Sequence, residues 1–196
     1  MKCIAYIHLL AALLLFSGCK EKKSTTNKVN TQKDTTSYYP LLAFIEEQKR
    51  YVDLRDFRIT RITKQTNHSK QELIAKETFL SELSIFQKIA TDFEKQKKDY
   101  KETIFQDLGT DSYALTYQCT NPSLSIQRID ILLRSQTNTA KQIFIRSFDQ
   151  HEDTGFIKQF SFWADKKMEI TTEYTVRNNE PIRETKIIEW AKVSNK

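Results

Sequence analysis

From residue 112 onward the chain repeats one pattern: apolar and polar side chains alternate through six segments, 113–119, 126–134, 142–148, 156–163, 168–176 and 182–190. A period of two sends successive side chains to opposite faces of an extended strand. The polar stretches between segments are too short for a crossover helix, so neighbours must pair antiparallel as a meander. In 168–176, Met168, Ile170, Thr172, Tyr174 and Val176 oppose Glu169, Thr171, Glu173 and Thr175, which describes a strand with one wet face. Other segments are apolar on both sides: Ile143 and Ile145 against Phe144 and Phe148, and Phe160 and Phe162 against Ile157 and Trp163. These belong at the centre of the sheet. If helices cover one face, the other needs a second layer, a partner or a ligand, and Phe144, Phe148, Trp163 and Trp190 are the candidate binding face.

The helices come from the first half. Pro40 is tolerated in a first helical turn, and Leu41, Phe44, Ile45 and Val52 form a stripe over 41–52. Residues 57–63 are rich in β-branched side chains, and Asn67 and His68 suggest a turn into a second strand ending near Ala75. Over 77–98, Phe79, Leu83, Phe86, Ala90 and Phe93 recur at helical spacing, the pattern of a core face. The expected fold is α+β, with N-terminal helices packed on an antiparallel β-meander of about six to eight strands, in a single domain over 38–196.

What precedes residue 38 has a different character. Met1 and Lys2 give a positive end, and residues 3–16 are an apolar run broken by His8, followed by Ser17, Gly18 and Cys19. That is the layout of a secretory signal, and the run is shorter than the roughly 20 apolar residues that span a bilayer. Residues 20–37 hold one aliphatic side chain, Val29, among Lys, Thr, Ser, Asn and Gln, so they have nothing to bury and form a solvated tether reaching roughly 25 Å.

Leu15, Phe16, Ser17, Gly18 and Cys19 together resemble the lipobox of bacterial lipoproteins. The resemblance implies a signal peptide over 1–18, cleavage between Gly18 and Cys19, acyl chains such as palmitate on Cys19, and a tether over 19–37. Two or three chains make anchorage effectively permanent, where one holds marginally. Lys20, Glu21, Lys22 and Lys23 follow the cysteine. In that family Asp after the cysteine resembles an inner-membrane retention signal, so the resemblance, with no Asp here, implies the outer membrane and leaves open whether the domain faces the periplasm or the surface. Lipobox, polar tether and one α+β domain together are similar in organisation to small lipoproteins of Bacteroidota. A lipid anchor with a concave sheet is also similar to lipoprotein-localisation receptors, whose more numerous strands close a half-barrel.

The charge balance narrows the partners. The net charge is +6, but removing Lys2 and the five tether lysines from 31 basic residues, and Glu21 and Asp34 from 25 acidic ones, leaves 25 and 23. The domain itself is near +2, which argues against a nucleic-acid binder. Beyond Cys3 and Cys19 only Cys119 is left, so no disulfide closes within the mature chain, and its place on the alternation of Tyr113, Leu115 and Tyr117 reads as a packed thiol. His68 and His151 fall in expected turns, and His151, Glu152 and Asp153 have no second ligand pair at zinc spacing. Three glycines leave little for phosphate-cradling loops, and no nucleophile elbow, P-loop or zinc-helix motif occurs. No catalytic residue, metal or cofactor is therefore expected. The functional expectation is a lipid-anchored, non-catalytic envelope module that binds a protein, glycan or lipid partner. The alternatives are a structural lipoprotein that assembles a membrane complex, or a hydrolase whose site only the fold brings together.

Overall fold

The structure, a computed structural model, describes residues 38–107, 109, 112–151, 154–176 and 181–193. The expected signal peptide over 1–18, with Gly18, and the expected tether over 19–37, with Cys19, lie outside the described residues, as do Glu152 and Asp153. None of the described helices is long and apolar enough to cross a membrane.

Helix α1, Leu41–Asp53, starts directly after Pro40 and buries Leu41, Phe44, Ile45, Gln48 and Val52, a stripe at three- and four-residue spacing. Strands β1, Phe57–Gln65, and β2, His68–Leu73, form a hairpin. Helix α2, Lys76–Lys95, buries Phe79, Leu83, Phe86, Ile89, Ala90 and Phe93, and gives way to a short 3₁₀ turn over Lys97–Asp99 rather than continuing to residue 98. Seven strands follow: β3, Tyr100–Asp107; β4, Ser112–Cys119; β5, Ile126–Arg134; β6, Ala140–His151; β7, Thr154–Trp163; β8, Lys167–Val176; and β9, Ile182–Lys192. The six alternating segments are thus six strands.

All nine strands join one antiparallel sheet in the order β2-β1-β9-β8-β7-β6-β5-β4-β3. The expectation of six to eight strands falls short because β3 adds an edge and β1 pairs with β9, joining the N-terminal hairpin to the last strand. The helices do not both precede the sheet either, since the β1–β2 hairpin lies between them. Of the described residues, 25% are helical and 56% are in strands, so the fold is predominantly β with two helices. β2 and β3 stand at opposite ends of the order, so the sheet is open. β6 and β7 sit near its middle, as their two apolar faces require.

Register decides which side chains share a face. Tyr117 lies opposite Ile129, Ile129 opposite Ile145, Ile145 opposite Phe160, and Phe160 opposite Ile170. The phenylalanines of α2 pack onto this inner face. Ring centroids lie 5.2 Å apart for Phe79 and Trp190, 5.5 Å for Phe86 and Phe162, and 5.0 Å for Phe93 and Tyr117. From α1, Phe44 meets Phe162 edge-on at 5.8 Å. Each such buried ring contributes about 1.5–3 kcal/mol, and its edge contacts roughly 0.5–1.5 kcal/mol more. At the hairpin side, Glu82 of α2 receives Lys186 of β9 at 3.0 Å and Arg61 of β1 at 3.3 Å, which ties the helix to two strands.

Candidate functional site

Beside the start of α1 the inner face is left partly open. A groove of ≈ 850 Å³ runs there, with Ile104, Leu115 and Leu133 from β3, β4 and β5 as its floor, and Pro40, Ala43 and Phe44 as one wall. That volume falls in the range of small-ligand sites. Leu115 and Leu133 are nearly covered, whereas Ile104, opposite Leu115, is 48% exposed. Its polar rim carries Glu47, Glu102 and Asp165 against Arg134, so carboxylates predominate.

The rim is held by specific bonds. The Tyr39 backbone N–H donates to Tyr117 Oη at 2.9 Å, and Tyr39 Oη accepts from the Ala140 N–H at 3.0 Å. Tyr38 stacks on Tyr117 at 5.4 Å and donates its hydroxyl to the Tyr100 carbonyl at 3.1 Å. The first described residues are therefore fastened across β4. Burial pushes the Tyr117 phenol up from its usual range, with the neighbouring Glu102 carboxylate acting in the same direction, and burial likewise raises Tyr39. Both stay neutral and keep their bonds. On the opposite rim, Gln48 Nε2 donates to Asp165 Oδ1 at 3.1 Å, and the Asp165 N–H donates to Gln48 Oε1 at 2.9 Å. Asp165 has φ 62°, the left-handed region, in the turn between β7 and β8. Arg134 is drawn back by donation to the Ala140 carbonyl at 3.1 Å. Such an arrangement presents an apolar trough with acceptors at its edge, and among the described residues no histidine, cysteine or serine lines it.

The expected binding face is divided by the structure. Phe144 lies opposite Ser161, Phe148 opposite Ile157, and Trp163 opposite Gln142 and Lys167, all on the face turned away from the helices. Phe144 and Trp163 are half-buried, and Phe148 is 44% exposed. Phe148 and Trp163 are far apart along β6 and β7, so the three do not converge. Trp190 belongs to the other face: Lys167, opposite Trp163, also pairs with Glu189, which turns the next residue inward. Trp190 packs between Phe79 and Phe162, is 4% exposed, and leaves its Nε1–H buried without a partner among the described residues.

His68 opens β2 and His151 closes β6, rather than standing in turns. Cys119 is half-buried, its Sγ 3.1 Å from the Asn121 carbonyl. Among the described residues no three of His, Cys, Asp and Glu gather as metal ligands. The sequence reading missed the groove, although Gln48 on an otherwise apolar helical stripe and Ile104 in a polar segment both mark it. No family model, curated protein or solved structure matches the chain.

Proposed function

We propose that this chain is a lipid-anchored cell-envelope protein, carried on acyl chains at Cys19, and that its domain is a non-catalytic binding module. In this reading the domain is α+β, its helices forming one layer on the meander, and the groove takes an apolar segment of a partner protein or a lipid. The observation that carries it is the apolar floor of Ile104, Leu115 and Leu133, with Ile104 48% exposed, beneath a rim that carries Glu47, Glu102 and Asp165. Anchorage rests on the lipobox-like run before Cys19 and the polar tether after it.

Two measurements test the reading. Palmitate labelling and fractionation are expected to place the wild-type chain in the envelope and to release Cys19→Ala; an unlabelled wild type or an unreleased variant removes the anchor. Native mass spectrometry of the detergent-extracted full chain is expected to show a bound apolar species that Ile104→Asp loses. Ile104 is half exposed, so that change leaves the fold intact; finding no ligand, or one indifferent to the substitution, removes the groove.

A second reading, assembly of a membrane complex, is favoured by one feature. Edge strand β3 exposes Ile104 by 48% and Phe105 by 46%, on opposite faces, beside backbone groups that an added strand would pair. Crosslinking from position 105 to a strand of another envelope protein is the expected sign of that role.

A further inference from the structure

The turn between β7 and β8 separates two grooves. Ala164 and Asp165 line the apolar one. On its other side Trp163, Lys166 and Lys167 line a second groove of ≈ 790 Å³, together with Arg58, Glu189 and Lys192. Four cations face one carboxylate there, a local charge of +3. Since the domain from residue 38 sums to +2, everything outside this groove sums to −1.

These cations are among those of the described residues that no carboxylate holds. Arg61, Lys70, Lys88, Arg128 and Lys186 each meet a carboxylate. Among the described residues, Arg58, Lys166, Lys167 and Lys192 have no carboxylate within 4.0 Å. Lys167 lies opposite Trp163 and Glu189 and Arg58 opposite Ala191, on the face turned away from the helices, while Lys192, opposite Phe57 and on the parity of Trp190, lines the groove from the end of β9. Directly paired positions are about 4.5–5.5 Å apart. The Trp190 N–H donates to the Lys166 carbonyl at 3.1 Å and pins the turn against β9. Lys167 Nζ sits 4.3 Å from the Trp163 ring centroid, so its one close partner is a ring face.

We infer that this groove binds a phosphomonoester or pyrophosphate group. A carboxylate would neutralise one of three excess charges, whereas a phosphate brings about −1.5 to −2 near neutral pH. Arg58 offers a planar fork for two phosphate oxygens, and the lysines supply point charges that swing to meet the rest. Trp163 gives a flat wall for the carbon skeleton that carries the phosphate. The same chemistry could come from a soluble phosphomonoester or from a lipid headgroup.

The site contains its own reporter, because an anion that draws Lys167 off the indole changes Trp163 fluorescence. Detergent-solubilised full chain is titrated with pyrophosphate, with sodium chloride at matched ionic strength as the control. Separately, it is mixed with phosphatidylcholine vesicles with and without phosphatidic acid, so that an acyl anchor acts equally in both. A saturable change with pyrophosphate, absent with chloride, abolished by Trp163→Phe and weakened about tenfold or more by Arg58→Gln with Lys167→Gln, supports the site and a soluble ligand. The same dependence on these residues seen only with phosphatidic acid vesicles supports the site and assigns it to a lipid headgroup. A response equal to that of chloride, one unaltered in the double variant, or no response in either arm overturns the inference. All four cations are at the surface or half-buried, so the variants retain the fold.

Discussion

Gln48 is the one polar side chain on the buried stripe of α1, with 5% of its surface exposed, and both ends of its amide are used by Asp165. Removing it leaves a turn N–H without its acceptor, so Gln48→Ala is expected to lower stability by about 1–3 kcal/mol in urea unfolding. Asp165 adds a backbone constraint. With φ at 62°, Asp165→Asn keeps both the bond and a residue tolerant of that region, Asp165→Gly keeps the conformation alone, and Asp165→Ala keeps neither. The expected order of urea midpoints is therefore Asn, Gly, Ala from highest to lowest. A glutamine inside an apolar stripe was readable as a side chain in need of a partner, but a partner 117 positions later was not.

The buried phenols give a pH dependence with a definite sign. Tyr100 donates to the Ile126 carbonyl at 2.9 Å and Tyr117 lies fully covered, and burial raises both above the ordinary phenol value. Below pH of about 10 the phenols are protonated in folded and unfolded chain alike, and their contribution is fully present. Above it the unfolded chain ionises first, holds fewer protons than the folded one, and stability falls as pH rises. Urea midpoints are expected to drop above pH of about 10, and less steeply in Tyr117→Phe; an unchanged slope in that variant would show that Tyr117 is not responsible.

At the scale of elements, two phenylalanines a short way apart in sequence have opposite roles. Phe86 of α2 is 1% exposed and meets Phe160 and Phe162, while Phe105 of β3 is 46% exposed. Phe86→Ala is expected to cost about 3–5 kcal/mol in urea unfolding, and Phe105→Ala to stay within about 0.5 kcal/mol of wild type. Helical spacing made the first legible. The six strands after residue 112 were equally legible, since alternation survives wherever one face is covered. β3 was not, because an edge strand with only Tyr100 buried keeps no alternation to read. Trp190 shows a different limit. Parity within one strand is written in the sequence, but matching the faces of two strands requires the register. The three-residue turn at 164–166 and the pairing of Tyr174 with Ile182 fix that register, and it puts Trp190 under α2 while Trp163 stays outside.

For the whole molecule, the two grooves differ in sign of charge and share a single turn. The turn is held by its own Lys166 N–H to Trp163 carbonyl bond at 3.1 Å, by the Gln48 pair on one side, by the Trp190 backbone N–H to Lys166 carbonyl bond on the other, and by the Ala164 N–H to Lys141 carbonyl bond at 3.1 Å. Releasing Gln48 removes the side-chain hold on Asp165 and leaves the turn that leads into Lys166 and Lys167 on its backbone bonds alone. The effect should therefore reach the basic groove, although Gln48 does not line it. In a Trp190→Phe background, where Trp163 is the only tryptophan, Gln48→Ala is expected to shift Trp163 emission and raise its accessibility to a soluble quencher. Glu82→Gln is the matched control, since it loosens α2 from Arg61 and Lys186 far from the turn. Equal Trp163 spectra in Gln48→Ala and its parent, or an equal shift in Glu82→Gln, would mean that the grooves are mechanically independent. The turn would then be only a boundary between them.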